Sequence, residues 1–381
     1  MTAASLNWDR IFAWRLRRQL LEPIGDRDVP TTVRALCGVQ AQVPSAAELA
    51  VAVRRDPPEP GGLAGALEQR RVMRTWAMRG TLHVLAPGDA EAFLSLVGAV
   101  RTWEQPAWQR NFGAGPEEID LLARTVAEVL DGRVLERDEL IEEVAARAGH
   151  RELDAHLRSG WGALLKPLAW TGLLCNGPSR GNRVTFTSPQ SWLTGWTGIP
   201  EVDTAARIAI PAYLSAYGPA SPDTFDAWLT RGRSRKTQLR RWFAELEEDG
   251  VIAAVALEDG GSAYARAADC DELRDTPPST VVRLVPGFDQ SVLGPGTADP
   301  RVVAPARRSE VSKAAGWIAP VVLRGGRVIG VWSLEGEALS VRLFTEEEQA
   351  GGRVAASTLE AEVTRVGGCL GRTLQVSLVR T

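Results

Sequence analysis

Between Asp203 and Ala267 the chain follows one supersecondary plan, and that plan limits the fold more than any other stretch. Asp203 to Tyr217 has helical apolar spacing and is stopped by Gly218-Pro219. Ser221 then caps a second helix, with Pro222 at its first position, that runs to Leu229. A turn from Thr230 to Ser234 leads into a third helix, Arg235 to Leu246. Val251 to Leu257 and Ser262 to Ala267, joined through Glu258-Asp259-Gly260-Gly261, complete a two-stranded wing. Helix, turn, helix and wing together make a winged-helix unit.

The same plan recurs upstream. Helices are expected at 8–21, 31–39, 45–54 and 62–70, strands near 72–77 and 81–85, and a helix from 88 to 101. A second set follows the punctuation Gly113-Ala114-Gly115-Pro116. Its helices are Ile119 to Leu130, Asp138 to Ala148 and His156 to Gly172, followed by strand pieces at 173–175 and 183–187. After Thr276-Pro277-Pro278 the pattern turns to strands, at 281–286, 318–323, 328–332 and 339–344. Gly325-Gly326 makes a hairpin there between Arg324 and Arg327. A helix at 346–366 and a strand at 373–379 complete the chain. The expected fold class is therefore α+β, mainly α, with three tandem winged-helix units and a small C-terminal β subdomain. The divisions fall at 1–110, 111–200, 201–275 and 276–381.

Composition narrows the function classes. The 44 basic and 47 acidic residues give a net charge of −3, so a polyanion must be met by a local basic face. Six bases and no acid lie between 231 and 241: Arg231, Arg233, Arg235, Lys236, Arg240 and Arg241. They cover the turn and the first part of the helix that would meet phosphates and groove edges in a winged helix. A solvated helix face, with Arg241 paired to Glu245, is the competing reading. The cysteines at 37, 175, 270 and 369 are scattered, and the three histidines are His83, His150 and His156, so neither a metal site nor a disulfide framework is expected. No cofactor is expected either. No apolar run is long enough for a membrane span, and Trp8 to Leu21 reads as an amphipathic helix and not as a signal peptide. Reduced thiols and the absence of a span point to the cytoplasm.

Phosphate-loop, dinucleotide, nucleophile-elbow and zinc-protease motifs are all absent from the sequence. What remains is Val39-Gln40-Ala41-Gln42-Val43, in a helix-to-helix connection ahead of Pro44-Ser45. By itself such a tripeptide suits capping or surface glutamines as well as a site. Its companion is Arg74-Thr75-Trp76-Ala77-Met78-Arg79-Gly80-Thr81-Leu82-His83, which offers Arg79, Thr81 and His83 as pocket residues. A structural role suits His83 equally well.

These two stretches, with Val285-Pro286-Gly287-Phe288-Asp289, Gly316 to Leu323 and Gly330-Val331-Trp332, resemble the AlkZ/YcaQ-like DNA glycosylases over roughly residues 6 to 335. The resemblance implies tandem winged helices around a DNA-binding channel. It also implies that Gln40 and Gln42 are the catalytic signature, in the version of the AlkZ branch, which is linked to self-resistance against DNA-crosslinking natural products. The expected activity is a monofunctional glycosylase acting on double-stranded DNA that carries N7-alkylated guanine or an interstrand crosslink. The expected protein is a monomer associated with the nucleoid. Such a base is cationic and leaves without a general acid. An amide oxygen can orient water and stabilise the developing positive charge on the sugar, although an amide is no general base near neutral pH. Arg324 and Arg327, at a basic two-stranded projection, are added to the expected DNA contacts. Two other readings stand beside this one: a winged-helix transcriptional regulator, and a protein that sequesters a DNA-reactive compound.

Overall fold

The computed structural model describes residues 5–147, 157–158 and 162–381. The chain divides into two compact units. One comprises residues 1–64, 210–228 and 243–381; the other comprises 65–209 and 229–242.

The first unit is built on a five-stranded sheet. Its strands run in the order Gln375–Arg380, Ala338–Leu343, Arg327–Glu335, Val321–Arg324 and Val282–Val285. All pairs are antiparallel except Ala338–Leu343 with Gln375–Arg380. The Gly325-Gly326 turn is as tight as its sequence implies: Arg324 pairs directly with Arg327, and both glycines have positive φ. At the Val282–Val285 edge, the Leu284 N–H donates to the Glu362 carboxylate at 3.0 Å, so the helix Ala356–Leu370 covers a donor that the sheet leaves open. The single helix expected at 346–366 is two, Thr345–Gly351 and Ala356–Leu370. Gly352, at φ 86°, ends the first of them.

Against this sheet lies the amphipathic helix Trp8–Arg18, whose Ile11, Phe12, Trp14 and Leu16 join the core. The Asn7 side chain accepts from the Asp9 and Arg10 N–H groups and fixes the start of that helix. The wing Ile252–Ala256 with Ser262–Arg266 is an antiparallel pair in full register. Phe243 packs between Phe225 and Tyr264, with ring centroids 6.1 and 5.3 Å away. Helix, helix and wing of the 203–267 stretch are thus all present, as Val202–Tyr217, Pro222–Thr230, Lys236–Glu248 and the hairpin.

In the second unit, Leu82–Leu85, Met73–Trp76, Cys175–Asn176, Thr185–Thr187 and Leu135–Glu136 lie side by side in that order. Arg74 pairs with Asn176, so strands from the first two stretches of the sequence share one sheet. Helices Ala90–Gly98, Pro116–Leu130, Arg137–Ala145 and Leu165–Trp170 surround it. Pro106–Phe112 is a further helix that the apolar spacing did not predict. Of the helix expected from His156 to Gly172, Leu165–Trp170 is helical, while His156 and Trp161, with His150, lie outside the described residues.

Candidate functional site

The Gln40–Gln42 segment is held from both sides within the first unit. Ahead of it, the helix Val29–Ala35 stops where Cys37 and Gly38 take φ of 50° and 99°, which is why the helix expected at 31–39 is shorter. The Tyr217 hydroxyl, itself buried, donates to Leu36 O at that stop. Val39–Gln40 is extended and buried, with Gln40 only 7% exposed. Gln42 is exposed, one residue past the buried Ala41. The extended stretch ends at Gln40, and Gln42 lies in the bend that leads to the helix at Pro44.

Behind the segment, the helix Pro44–Ala52 runs directly into Arg54. Arg54 Nη1 and Nη2 donate to the two Asp289 oxygens at 2.8 and 2.7 Å, and neither side chain has any exposure. Arg54 also donates to Gln19 O and Ala50 O, which satisfies most of its donors in the core. Asp289 belongs to Val285-Pro286-Gly287-Phe288-Asp289. There, a side chain on Gly287 would fall 2.8 Å from Ile318 O, and Trp332 Nε1 donates to Val285 O at 2.8 Å. Gly330 leaves no room for a Cβ beside Arg342 O. These motif residues build the scaffold on which Arg54 is seated.

Arg79, Thr81 and His83 are brought together at the apex of the hairpin Met73–Trp76 with Leu82–Leu85. Arg79 sits at φ 57° and Gly80 at φ 71°, a left-handed pair closed by Gly80 N–H to Ala77 O at 2.9 Å. His83 is fully buried; its Nδ1 is 3.0 Å from Thr81 O and its Nε2 is 3.5 Å from Arg79 Nη2. Burial first, then the Arg79 charge, hold its pKa down at about 3, so the ring is neutral.

The basic run at 231–241 is on the second unit's 229–242 segment, and all six of its basic residues are exposed. Arg241 donates to Asp203 at 2.6 Å. No acidic side chain among the described residues pairs with Arg231, Arg233, Arg235 or Arg240. Arg231 and Arg233 share a small cleft with Arg79, Thr102, Trp170 and Thr230. Sequence reasoning missed Trp170 and Thr102 there, because nothing local links residues so distant along the chain. Arg324 and Arg327 lie in the first unit, and both are engaged. Arg324 donates to Glu347 O and Gly352 O, and Arg327 donates to Asp9 and lies over the Phe12 ring at 4.6 Å. Gly326 itself abuts Phe12. The hairpin tip is therefore a packed corner and not the projection that its sequence suggested.

Among the described residues no group of three or more His, Cys, Asp or Glu side chains could hold a metal ion, and no helix is long and apolar enough to cross a membrane. The profile of the family described as DNA glycosylase AlkZ-like matches residues 33–369. The chain belongs to the AlkZ-like DNA glycosylase family. It is 45% identical over 366 residues to an interstrand DNA cross-link repair glycosylase of Streptomyces sahachiroi, covering 96% of this chain and 97% of that one. The solved structure of Streptomyces sahachiroi DNA glycosylase AlkZ matches with a TM-score of 0.95 at 44% identity, over 99% of this chain and 100% of that chain. As an AlkZ-like glycosylase the chain is a hydrolase of N-glycosyl bonds. That answers the regulator and sequestration readings, neither of which involves catalysis.

Proposed function

We propose that this glycosylase releases N7-alkylated guanine from double-stranded DNA, and that it unhooks interstrand crosslinks of that chemistry, through Gln40 and Gln42. The observation that carries the reading is the seating of this pair. A segment without a titratable group is clamped between the Tyr217–Leu36 hydrogen bond and the buried Arg54–Asp289 pair. Rigid placement of a neutral amide suits a reaction in which the leaving base already carries positive charge. The base needs no proton, and the sugar, which becomes oxocarbenium-like, needs an oriented water and a nearby dipole.

Gln42, the exposed member, would orient the water; Gln40, largely buried, would hold the phosphodiester or share that water. Arg79 and Thr81 would line the pocket, with His83 acting through Arg79. No lysine or terminal amine enters the chemistry, so the product is an abasic site. Arg231, Arg233, Arg235, Lys236, Arg240 and Arg241 would contact the duplex, whereas Arg324 and Arg327 are assigned to packing. The three winged-helix stretches would line a DNA channel, and the protein would act as a nucleoid-associated monomer. A kinship with a crosslink repair enzyme supports the substrate class. Single-turnover release of N7-methylguanine from a duplex tests it: wild-type release at enzyme excess is expected, and retention of the base in the duplex would refute it.

A further inference from the structure

The geometry points to a phosphodiester-binding subsite in the second unit, formed where Arg79, Arg231, Arg233 and Trp170 converge on one cleft. The proposal deepens the glycosylase reading and rests on DNA as the substrate. Two Arg-Gly dipeptides meet here, Arg79-Gly80 and Arg231-Gly232, and all four residues have positive φ, at 57°, 71°, 64° and 77°. Each arginine is in a conformation that non-glycine residues adopt seldom. Both turns nevertheless line the same cleft, and Arg233 adds a third arginine, its N–H fixed by Thr230 Oγ1 at 2.9 Å. No acidic residue is among the described lining residues.

Trp170 forms part of the wall of the cleft. Trp170 is only 7% exposed, and its Nε1 has no hydrogen-bond partner among the described residues. Lys166 adds to the positive field: burial first, and then the Arg231 charge, hold its ammonium below the usual lysine range. Three arginines on one cleft and a neighbouring ammonium call for one compact anion with several acceptor oxygens, which a phosphodiester supplies. The occupant is a linkage of the DNA backbone, because the exposed cations Arg235, Lys236 and Arg240 continue along the chain from the cleft.

One shared phosphate has a distinctive consequence. Each phosphate neutralised contributes about 0.9 to the slope of log K against log salt for duplex binding. The double variant Arg231→Gln/Arg233→Gln should lower that slope by about 0.9, the share of one phosphate, and each single variant by less, because the remaining arginines still hold the same phosphate. Both arginines are exposed, so their variants should fold, and circular dichroism would confirm it. A scan of neutral methylphosphonate linkages along the duplex should find one position at which wild type and the double variant bind equally. Unchanged slopes, slope changes that add to about 1.8 in the double variant, or a scan with no such position would each overturn the shared subsite. So would stabilisation of the protein by inorganic phosphate alone, abolished in the double variant, if the duplex slope were unaffected. Base release is scored separately. A wild type that fails to release the base would remove the catalytic reading, while the slopes would still judge the subsite.

Discussion

Arg79 Nη2 lies 3.5 Å from His83 Nε2, on the far side of a ring whose Nδ1 meets Thr81 O at 3.0 Å. A carbonyl only accepts, so Nδ1 carries the proton and Nε2 presents its lone pair to the guanidinium. His83 thus holds Arg79 from inside the hairpin and can do so only while neutral.

That relationship sets a pH dependence. The folded pKa, about 3, lies below the ordinary histidine value of 6.5, so between these limits the unfolded chain binds the extra proton. The contribution of His83 is present above pH 6.5 and is lost as pH falls toward 3, at no more than about 1.4 kcal/mol per pH unit. Urea unfolding of wild type and His83→Gln should show a stability gap that narrows steadily below about pH 6.5. A gap that stays constant from about pH 7 to about pH 4 would contradict a buried neutral ring.

The Arg54–Asp289 pair should behave as a buried ion pair does when one partner is removed. Asp289→Asn or Arg54→Met leaves an uncompensated charge or an unmatched acceptor, and should cost about 3–5 kcal/mol in urea unfolding. An apolar replacement of both residues should cost much less. If single and double replacements are equally mild, the pair does not clamp the Gln40–Gln42 segment.

For the basic helix, alanine at Arg235, Lys236 and Arg240 together should flatten the salt dependence of duplex affinity by roughly 0.9 for each phosphate no longer held. Arg241, already held by Asp203, should contribute less when replaced alone. Filter binding across a salt series measures both, and an unchanged slope in the triple variant removes this helix from the interface.

Local signals carried much of the fold. The capping and turn residues of 203–267, such as Ser221, Pro222 and Gly260, act over a few residues, and the elements they predict are present. The Gly325-Gly326 turn was equally legible, because φ above zero at both positions is a local demand. Tertiary partners were not legible. Nothing near Arg327 announces Asp9 or Phe12, so a tip that looks free in sequence proves to be packed. The Arg79–Arg231 cleft joins two Arg-Gly turns far apart along the chain, and periodicity carries no information over such a span. The motif residues around Asp289, which in the sequence only carried the family resemblance, are scaffold, since what they satisfy is the buried charge of Arg54.

The packed hairpin gives its own test. Arg324→Ala and Arg327→Ala should lower the thermal midpoint, because they remove hydrogen bonds to Glu347 O and Asp9. Excision per folded molecule should change little. Loss of excision at an unaltered midpoint would instead return these arginines to the DNA interface.

The most direct test is single-turnover release of N7-methylguanine by Gln42→Ala and by the Gln40→Ala/Gln42→Ala double variant, read as alkali-labile strand breaks. Removing one oriented polar group from a transition state typically costs about 10²–10³-fold. Gln42→Ala should fall by about that factor and Gln40→Ala by somewhat less, with duplex affinity and folding close to wild type. A double variant that releases the base at the wild-type rate would contradict the assignment of catalysis to this pair.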